Sequence, residues 1–397
     1  MAEFNGLPDN ASDLVKKWAI VFDFDTDSCY PAAAISGKGK VNKGLEPTGD
    51  RTGGCRELDQ FKQSNTYCRF RYVINDSGIY LVIMYALYFE KDQWSTWTPT
   101  SLPGSHRHDW EYGLVWLKNG KLTHASYSAH GDAHTKSVDD LYFDKGMENH
   151  VKLVYHQDNV RTHAMRFAKE DESPENDLGK WVTPVPIQWE WMYPDHRDAL
   201  NDYDFGDAHF PVKDENFFTE ITDADCIPDG YPSEDDWKNN SYYSLDKCWC
   251  SLKWDDIGEG QQKEWEKLGW SSSNWDNEFP IPETRFKDWS ELSDEGRDAA
   301  SKLGYTQWAW DNTDPIEFLS VSYGIEGGKM MDPEKLRDVI GKKFGAKEYN
   351  FPVNKDSLGE DPDPGKKKTL TIKYKIGDDG KEITVSAEDH TEMKILG

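Results

Sequence analysis

The stretch His106-Arg107-His108-Asp109-Trp110-Glu111-Tyr112-Gly113-Leu114-Val115-Trp116-Leu117 decides how this chain is read. Its first six residues hold two imidazoles, two carboxylates, a guanidinium and an indole, and the apolar run after them ends at the turn pair Asn119-Gly120. That pattern predicts a charged loop entering one strand of a hairpin. In an extended chain Asp109 and Glu111 share one face, while His108 and Trp110 share the other. Two carboxylates held side by side call for a cation, and Asp92 upstream supplies a third if the intervening loop folds back. The competing reading is a polar strand start, with Asp109 paired to Arg107 and the histidines half exposed.

Composition bounds the function. With 397 residues the chain is long enough for two or three domains. A net charge of −27 argues against nucleic-acid binding, which needs a basic face, and it repels a bare anionic membrane. No run of 18 apolar residues is present to span a bilayer as a helix. The start Met1-Ala2-Glu3-Phe4 lacks the basic and apolar regions of a signal peptide, as expected of a mature secreted domain or of a cytosolic protein. Six cysteines leave the compartment open by count, and Cys248-Trp249-Cys250 lacks zinc-type spacing. Three Asn-x-Ser sequons, at Asn10, Asn75 and Asn239, permit secretion.

Residues from about 15 to 225 read mainly as short strands: Trp18–Phe22, Tyr80–Phe89, Tyr112–Leu117, Leu122–Ser128 and Val151–His156. Trp189-Glu190-Trp191 alternates like a strand, and Asp195–Leu200 reads as a short helix. Many short strands separated by turn residues predict a β-sandwich. Residues 227–253, with Pro228, Gly230, Pro232 and an acidic cluster, read as a linker. An internal repeat follows, in which Trp254 to Asn277 aligns without gaps on Trp289 to Asn312. Each copy is one helix closed by Gly269-Trp270 or Gly304-Tyr305, too small to fold alone. The last segment carries a strand Ile316–Tyr323, a helix Pro333–Phe344 and a hairpin through Gly377–Gly380. The expected organisation is a domain over 1–236, linker and Trp-rich helical repeats over 237–315, and a small α+β or hairpin domain over 316–397.

Ser105-His-Arg-His-Asp-Trp-Glu111 resembles the heptapeptide of the necrosis- and ethylene-inducing peptide-like proteins, a family of secreted microbial proteins. The resemblance extends over about residues 15–225. It includes Asp27–Ala32 with Gly53-Gly54-Cys55-Arg56, Ser128-Ala129-His130-Gly131 and Val154-Tyr155-His156. It also includes Thr162-His163-Ala164, Arg197–Leu200, Asp204–Ala208 and Lys213–Phe217. It implies a two-sheet sandwich like that of actinoporins and fungal lectins, and a disulfide between Cys29 and Cys55. Cys226, Cys248 and Cys250 can supply a second bridge, with Cys68 left over or paired.

Carried over residue by residue, the family's divalent-cation ligands fall on Asp92, His106, Asp109 and Glu111. Such oxygen-rich donors suit calcium or magnesium first, and manganese or zinc after them. His108 lies outside that set and would favour zinc if it joined. Two departures stand out: Ser105 replaces the family's glycine, and the loop from Asp92 to His106 is long, carrying Trp94 and Trp97. Those two aromatics either stack on sugar or a membrane interface, or fold back onto the core. The family's headgroup-binding loop corresponds to Asp158–His163, which keeps His163 but lacks the expected Trp and Asp. His130 lines the same rim or serves as a structural histidine.

Three functions follow as expectations. The first is a secreted, non-enzymatic, monomeric effector or cytolysin-like protein that recognises a glycosylated lipid with peripheral membrane contact, and that includes non-toxic members. The second is a lectin-like carbohydrate-binding module. The third is a metal-dependent polysaccharide hydrolase or lyase with Glu111 or His108 as base.

Overall fold

Fifteen residues, Gly78–Asp92, form a strand in which almost every side chain is apolar and buried. A run buried on both faces belongs in the middle of a layered structure, and the surrounding elements bear this out. The computed structural model describes residues 5–397 except 96–104, 145, 159–161, 224–225, 243–244, 276–281, 306, 312–315, 326, 346–349, 377–382 and 395–397. The chain divides into two compact units, one of residues 1–73 and 78–243, the other of residues 74–77 and 244–397.

The first unit is mainly β, as expected. Its strands are β1 (Val21–Phe24), β2 (Asn65–Asn75), β3 (Gly78–Asp92), β4 (His106–Lys118), β5 (Lys121–Ala129), β6 (Asp132–Ser137), β7 (Lys152–Gln157), β8 (His163–Phe167) and β9 (Val185–Gln188). Six of them form a sheet in the order β6-β5-β4-β3-β2-β9, and β1-β7-β8 form a second. β3 and β4 are antiparallel, with Leu87 opposite Glu111, Phe89 opposite Asp109 and Asp92 opposite His106. Asp92 and His106 are therefore brought side by side.

The two sheets touch through aromatic rings, Phe89 stacked on Tyr155 at 3.9 Å and Tyr127 edge-on to Phe167 at 4.9 Å. They approach so closely at Gly113 that a Cβ there would meet Leu153 at 2.4 Å and Ile20 at 2.5 Å. The opposite face of β4 carries Trp110, Tyr112, Leu114 and Trp116 into a core with Phe205, Phe210, Phe217 and Trp237. The alternation expected from His108 to Glu111 is the one observed: His108 and Trp110 face this core, and Asp109 and Glu111 face the other way.

Several local expectations change. Residues 13–17 form a helix (Asp13–Lys17) capped by the Ser12 side chain, so the first strand starts at Val21, not Trp18. Trp189–Trp191 is a 3₁₀ turn, not a strand: Trp189 is buried, Trp191 is exposed, and Arg71 draws Glu190 inward at 2.8 Å. The stretch read as a linker carries the helices Glu234–Asn239 and Leu245–Cys250. Ser233 and Asp236 form a capping box there, and Trp237 is fully buried edge-on against Trp116. Composition suggested solvent, but one buried indole decides otherwise. Asp195–Leu200 does fall in a helix, Pro194–Asp202. Cys29 and Cys55 are disulfide-bonded, whereas Cys68 and Cys226 are buried thiols, so Cys226 joins no second bridge.

In the second unit the repeat recurs as a 3₁₀ turn, a helix and a short helix. The first copy is Trp254–Asp256, Glu259–Lys267 and Ser272–Trp275; the second is Trp289–Glu291, Asp294–Lys302 and Gln307–Asp311. The copies share hydrogen bonds: Trp275 Nε1 donates to Leu252 O, and Trp310 Nε1 donates to Lys287 O. Both helices end on a left-handed glycine, Gly269 or Gly304, with the next N–H bonded back to Trp265 O or Ala300 O. Asn277 and Asn312 lie outside the described residues.

Strands β10 (Ile316–Gly324), β12 (Thr369–Ile376) and β13 (Ile383–Glu388) form an antiparallel sheet, and β11 (Asn350–Pro352) pairs with β14 (Glu392–Lys394). The helix Pro333–Gly345 places Leu336 and Ile340 in a core with Leu370, Ile372 and Tyr374. Trp270 of the first repeat packs against that same core. The repeats and the C-terminal segment thus cluster as one unit, where the sequence suggested a boundary at 316. The turn Gly377–Gly380 lies outside the described residues.

Candidate functional site

Pleat alternation in β4 turns Asp109 and Glu111 toward the β7–β8 sheet. Both are buried, at 6% and 7% exposure. Tyr155 Oη donates to Asp109 Oδ2 at 2.7 Å, and Ser128 Oγ donates to Glu111 Oε2. No bond to Asp109 Oδ1 or Glu111 Oε1 is made among the described residues. Arg107 turns away to Glu46 and to Lys43 O, so the Arg107–Asp109 pair of the competing polar-strand reading does not form.

Asp92 is also buried, and both of its oxygens are taken by one residue. His163 donates its backbone N–H to Oδ2 at 2.7 Å and its Nδ1–H to Oδ1 at 2.6 Å. The His163 ring lies 5.1 Å from Tyr155, completing a stack of Phe89, Tyr155 and His163. His106 Nδ1 is 2.5 Å from His108 O. A carbonyl only accepts, so Nδ1 carries a proton, and in the neutral ring Nε2 keeps the lone pair.

The electrostatics of these four groups are one problem. Burial and then the neighbouring Asp92 push the Asp109 carboxyl up to about 6. Burial and Asp109 push Glu111 well above the usual carboxylate range. Burial opposes charge on His106, but Asp109 and Asp92 outweigh it, and its pKa is raised. His163 is raised against burial in the same way, chiefly by its bond to Asp92. No lysine or arginine is ion-paired to these carboxylates among the described residues; the only such partner is His163 on Asp92. Nor do three His, Cys, Asp or Glu side chains, among the described residues, stand in a ready-made cation arrangement. The donor chemistry nonetheless fits a hard cation, with one uncommitted oxygen on each of Asp109 and Glu111 and the lone pair of His106 Nε2.

The remaining predicted residues separate. His108 faces the other side of β4, bonded through Nδ1 to Tyr88 Oη at 2.7 Å, and burial lowers its pKa to about 4. It is a neutral core histidine. His130 pairs with Asp158 at 3.0 Å. Trp94 is half-buried, and its carbonyl accepts from Gln157 Nε2 at 3.1 Å. Trp97 and positions 159–161 lie outside the described residues. Sequence reading missed Tyr155 and Ser128 as partners of the carboxylates. Both sit in stretches with a family resemblance, but neither spacing nor residue type marks them.

The model of the family described as necrosis inducing protein (NPP1) matches residues 12–224. The chain belongs to this family. NLP effector protein 10 of Phytophthora capsici is 33% identical over 204 residues, covering 50% of this chain and 77% of that protein. Necrosis-inducing protein NPP1 of Phytophthora nicotianae is 30% identical over 210 residues, again covering 50% and 77%. Among solved structures, NLPPya in complex with mannosamine is 27% identical, covers 55% of this chain and 94% of that one, and has a TM-score of 0.45. The matched span ends before the helix Glu234–Asn239, so the necrosis-inducing-protein family describes the first unit only. Among the described residues no helix is long and apolar enough to cross a membrane.

Proposed function

We propose that this necrosis-inducing-protein relative is a secreted, monomeric, non-enzymatic effector. It recognises a glycosylated lipid headgroup or glycan through a divalent cation, calcium or magnesium first, held by His106, Asp109 and Glu111 beside Asp92. One observation carries the reading. Asp109 and Glu111 share one face of β4, are buried and are both pushed up in pKa, and among the described residues no lysine or arginine is ion-paired to either. Burying like charges without a counter-ion is costly, and a cation is what removes that cost. When bound, such an ion supplies open coordination positions to sugar hydroxyls or a headgroup phosphate.

The protein's own groups do the rest. Tyr155 and Ser128 each fix one carboxylate oxygen and leave the other for the ligand side. His108 O fixes the His106 tautomer. Asp92 ties His163, the end of the rim loop, to β3. We read the two packed sheets as a sandwich of the actinoporin and lectin kind. The charge of −27 confines any membrane contact to this rim. The altered 158–163 loop favours a member that binds without lysing cells.

A thermal shift after EDTA stripping, titrated with Ca²⁺, Mg²⁺, Mn²⁺ and Zn²⁺, tests this. Binding to the native state raises stability by mass action, and Asp109→Ala removes the effect. No shift with any ion sinks the cation reading. Glycan-array binding without liposome leakage then selects the lectin-like form of the proposal over the cytolytic one.

A further inference from the structure

His108 has a backbone φ of 65° inside β4, the left-handed region that a non-glycine residue enters only at a cost in strain. The ladder shows it. Lys91 pairs with Arg107 and Phe89 with Asp109, but Glu90 and His108 do not pair between them. A strained residue persists only when its surroundings over-determine it, and here they do. The ring is bonded to Tyr88 Oη and meets Phe205 edge-on at 5.2 Å and Tyr203 edge-on at 5.7 Å. The chain at Gly44 closes over it so tightly that a Cβ there would lie 2.7 Å from His108 Nδ1.

The strain has an outcome on the opposite face of the strand. In a regular strand the carbonyl of residue 108 would point across the ladder. Here it receives the Nδ1–H of His106 at 2.5 Å instead. That bond selects one His106 tautomer and leaves Nε2 as the nitrogen with a lone pair.

We propose that His108 is a positioning residue: its left-handed backbone, locked by the Tyr88–Tyr203–Phe205 pocket, aims its carbonyl at His106 and holds that imidazole as a ligand. The geometry stands by itself; its effect on cation affinity rests on the reading under Proposed function.

His108→Gly and His108→Val test it, because both delete the ring while glycine accepts a positive φ and valine does not. Two readouts are needed: ¹⁵N NMR of the His106 imidazole, and titration of EDTA-stripped protein with Mn²⁺ and Ca²⁺. His108→Gly is expected to keep the single Nδ1–H tautomer and to bind within about threefold of wild type. His108→Val is expected to lose the single tautomer and roughly tenfold or more in affinity. Equal losses in the two variants, or an unchanged tautomer in His108→Val, overturn the proposal. If His108→Val does not fold, His108→Ala replaces it, with the same difference from His108→Gly required. Wild type that binds no cation refutes the cation reading alone, since the tautomer comparison still decides the role of His108.

Discussion

Tyr155 donates its hydroxyl to Asp109 Oδ2 at 2.7 Å, joining the three-stranded sheet to the six-stranded one. The tyrosine ring is buried between Phe89 and His163, so the carboxylate is fixed by a side chain that is itself immobile. Tyr155→Phe keeps the stack and removes the donor. A loss of about 1–3 kcal/mol in urea unfolding is expected for leaving a buried carboxylate oxygen unsatisfied. In an Asp109→Asn background the same change is expected to cost less, which a double-mutant cycle measures.

Acidity should strengthen the protein once divalent cations are chelated. The folded pKa of Asp109 is raised from 3.8 to about 6, and those of Glu111, His106 and His163 are raised as well. Each group binds its proton more tightly in the native state, so its contribution is present at low pH and lost as pH rises. For Asp109 that loss runs from about pH 4 to pH 6. In EDTA, wild type is expected to lose more stability than Asp109→Asn between those limits. Parallel curves for the two proteins would refute the burial argument.

Asp92→Asn removes the charge that holds His163 at two points. Breaking one partner of a buried charged pair typically costs about 3–5 kcal/mol. The His163 pKa, followed by NMR, is expected to fall, because burial is then opposed only by the weaker pull of Asp27 and Asp109.

Trp237 lies in a stretch with the composition of a linker, yet it is fully buried in the first unit's core. Trp237→Ala is expected to destabilise that unit by about 3–5 kcal/mol, read as a lower urea midpoint. A true linker residue would show almost no change.

Gly304 closes the second repeat helix at a φ of 91°. Gly304→Ala is expected to cost at least about 1 kcal/mol in the second unit, from backbone strain. At its counterpart Gly269 a new Cβ would also sit 3.0 Å from Pro282 Cβ, so Gly269→Ala is expected to cost more than that strain. Calorimetry of both variants checks these losses.

Much of the first unit was legible locally. Alternation along His106–Glu111 put Asp109 and Glu111 on one face, and the apolar run from Tyr80 to Phe89 announced a buried strand. Repeat offset and terminal glycines located the paired helices, because helix stops are written in single residues. What failed locally was burial by distant partners. Trp237 against Trp116, and Glu190 drawn in by Arg71, turned a linker into a capped helix and a strand into a 3₁₀ turn.

By itself the sequence determined the family, the strand that carries the acidic pair and the identity of its four chemical groups, since residue types and short-range periodicity are local properties. Only the tertiary structure decided that Tyr155 and Ser128 hold the carboxylates, that Asp92 is clamped by His163, and that His108, at a positive φ, accepts from His106. Those contacts join residues on different strands or depend on a single backbone dihedral, and neither leaves a periodic mark in a chain.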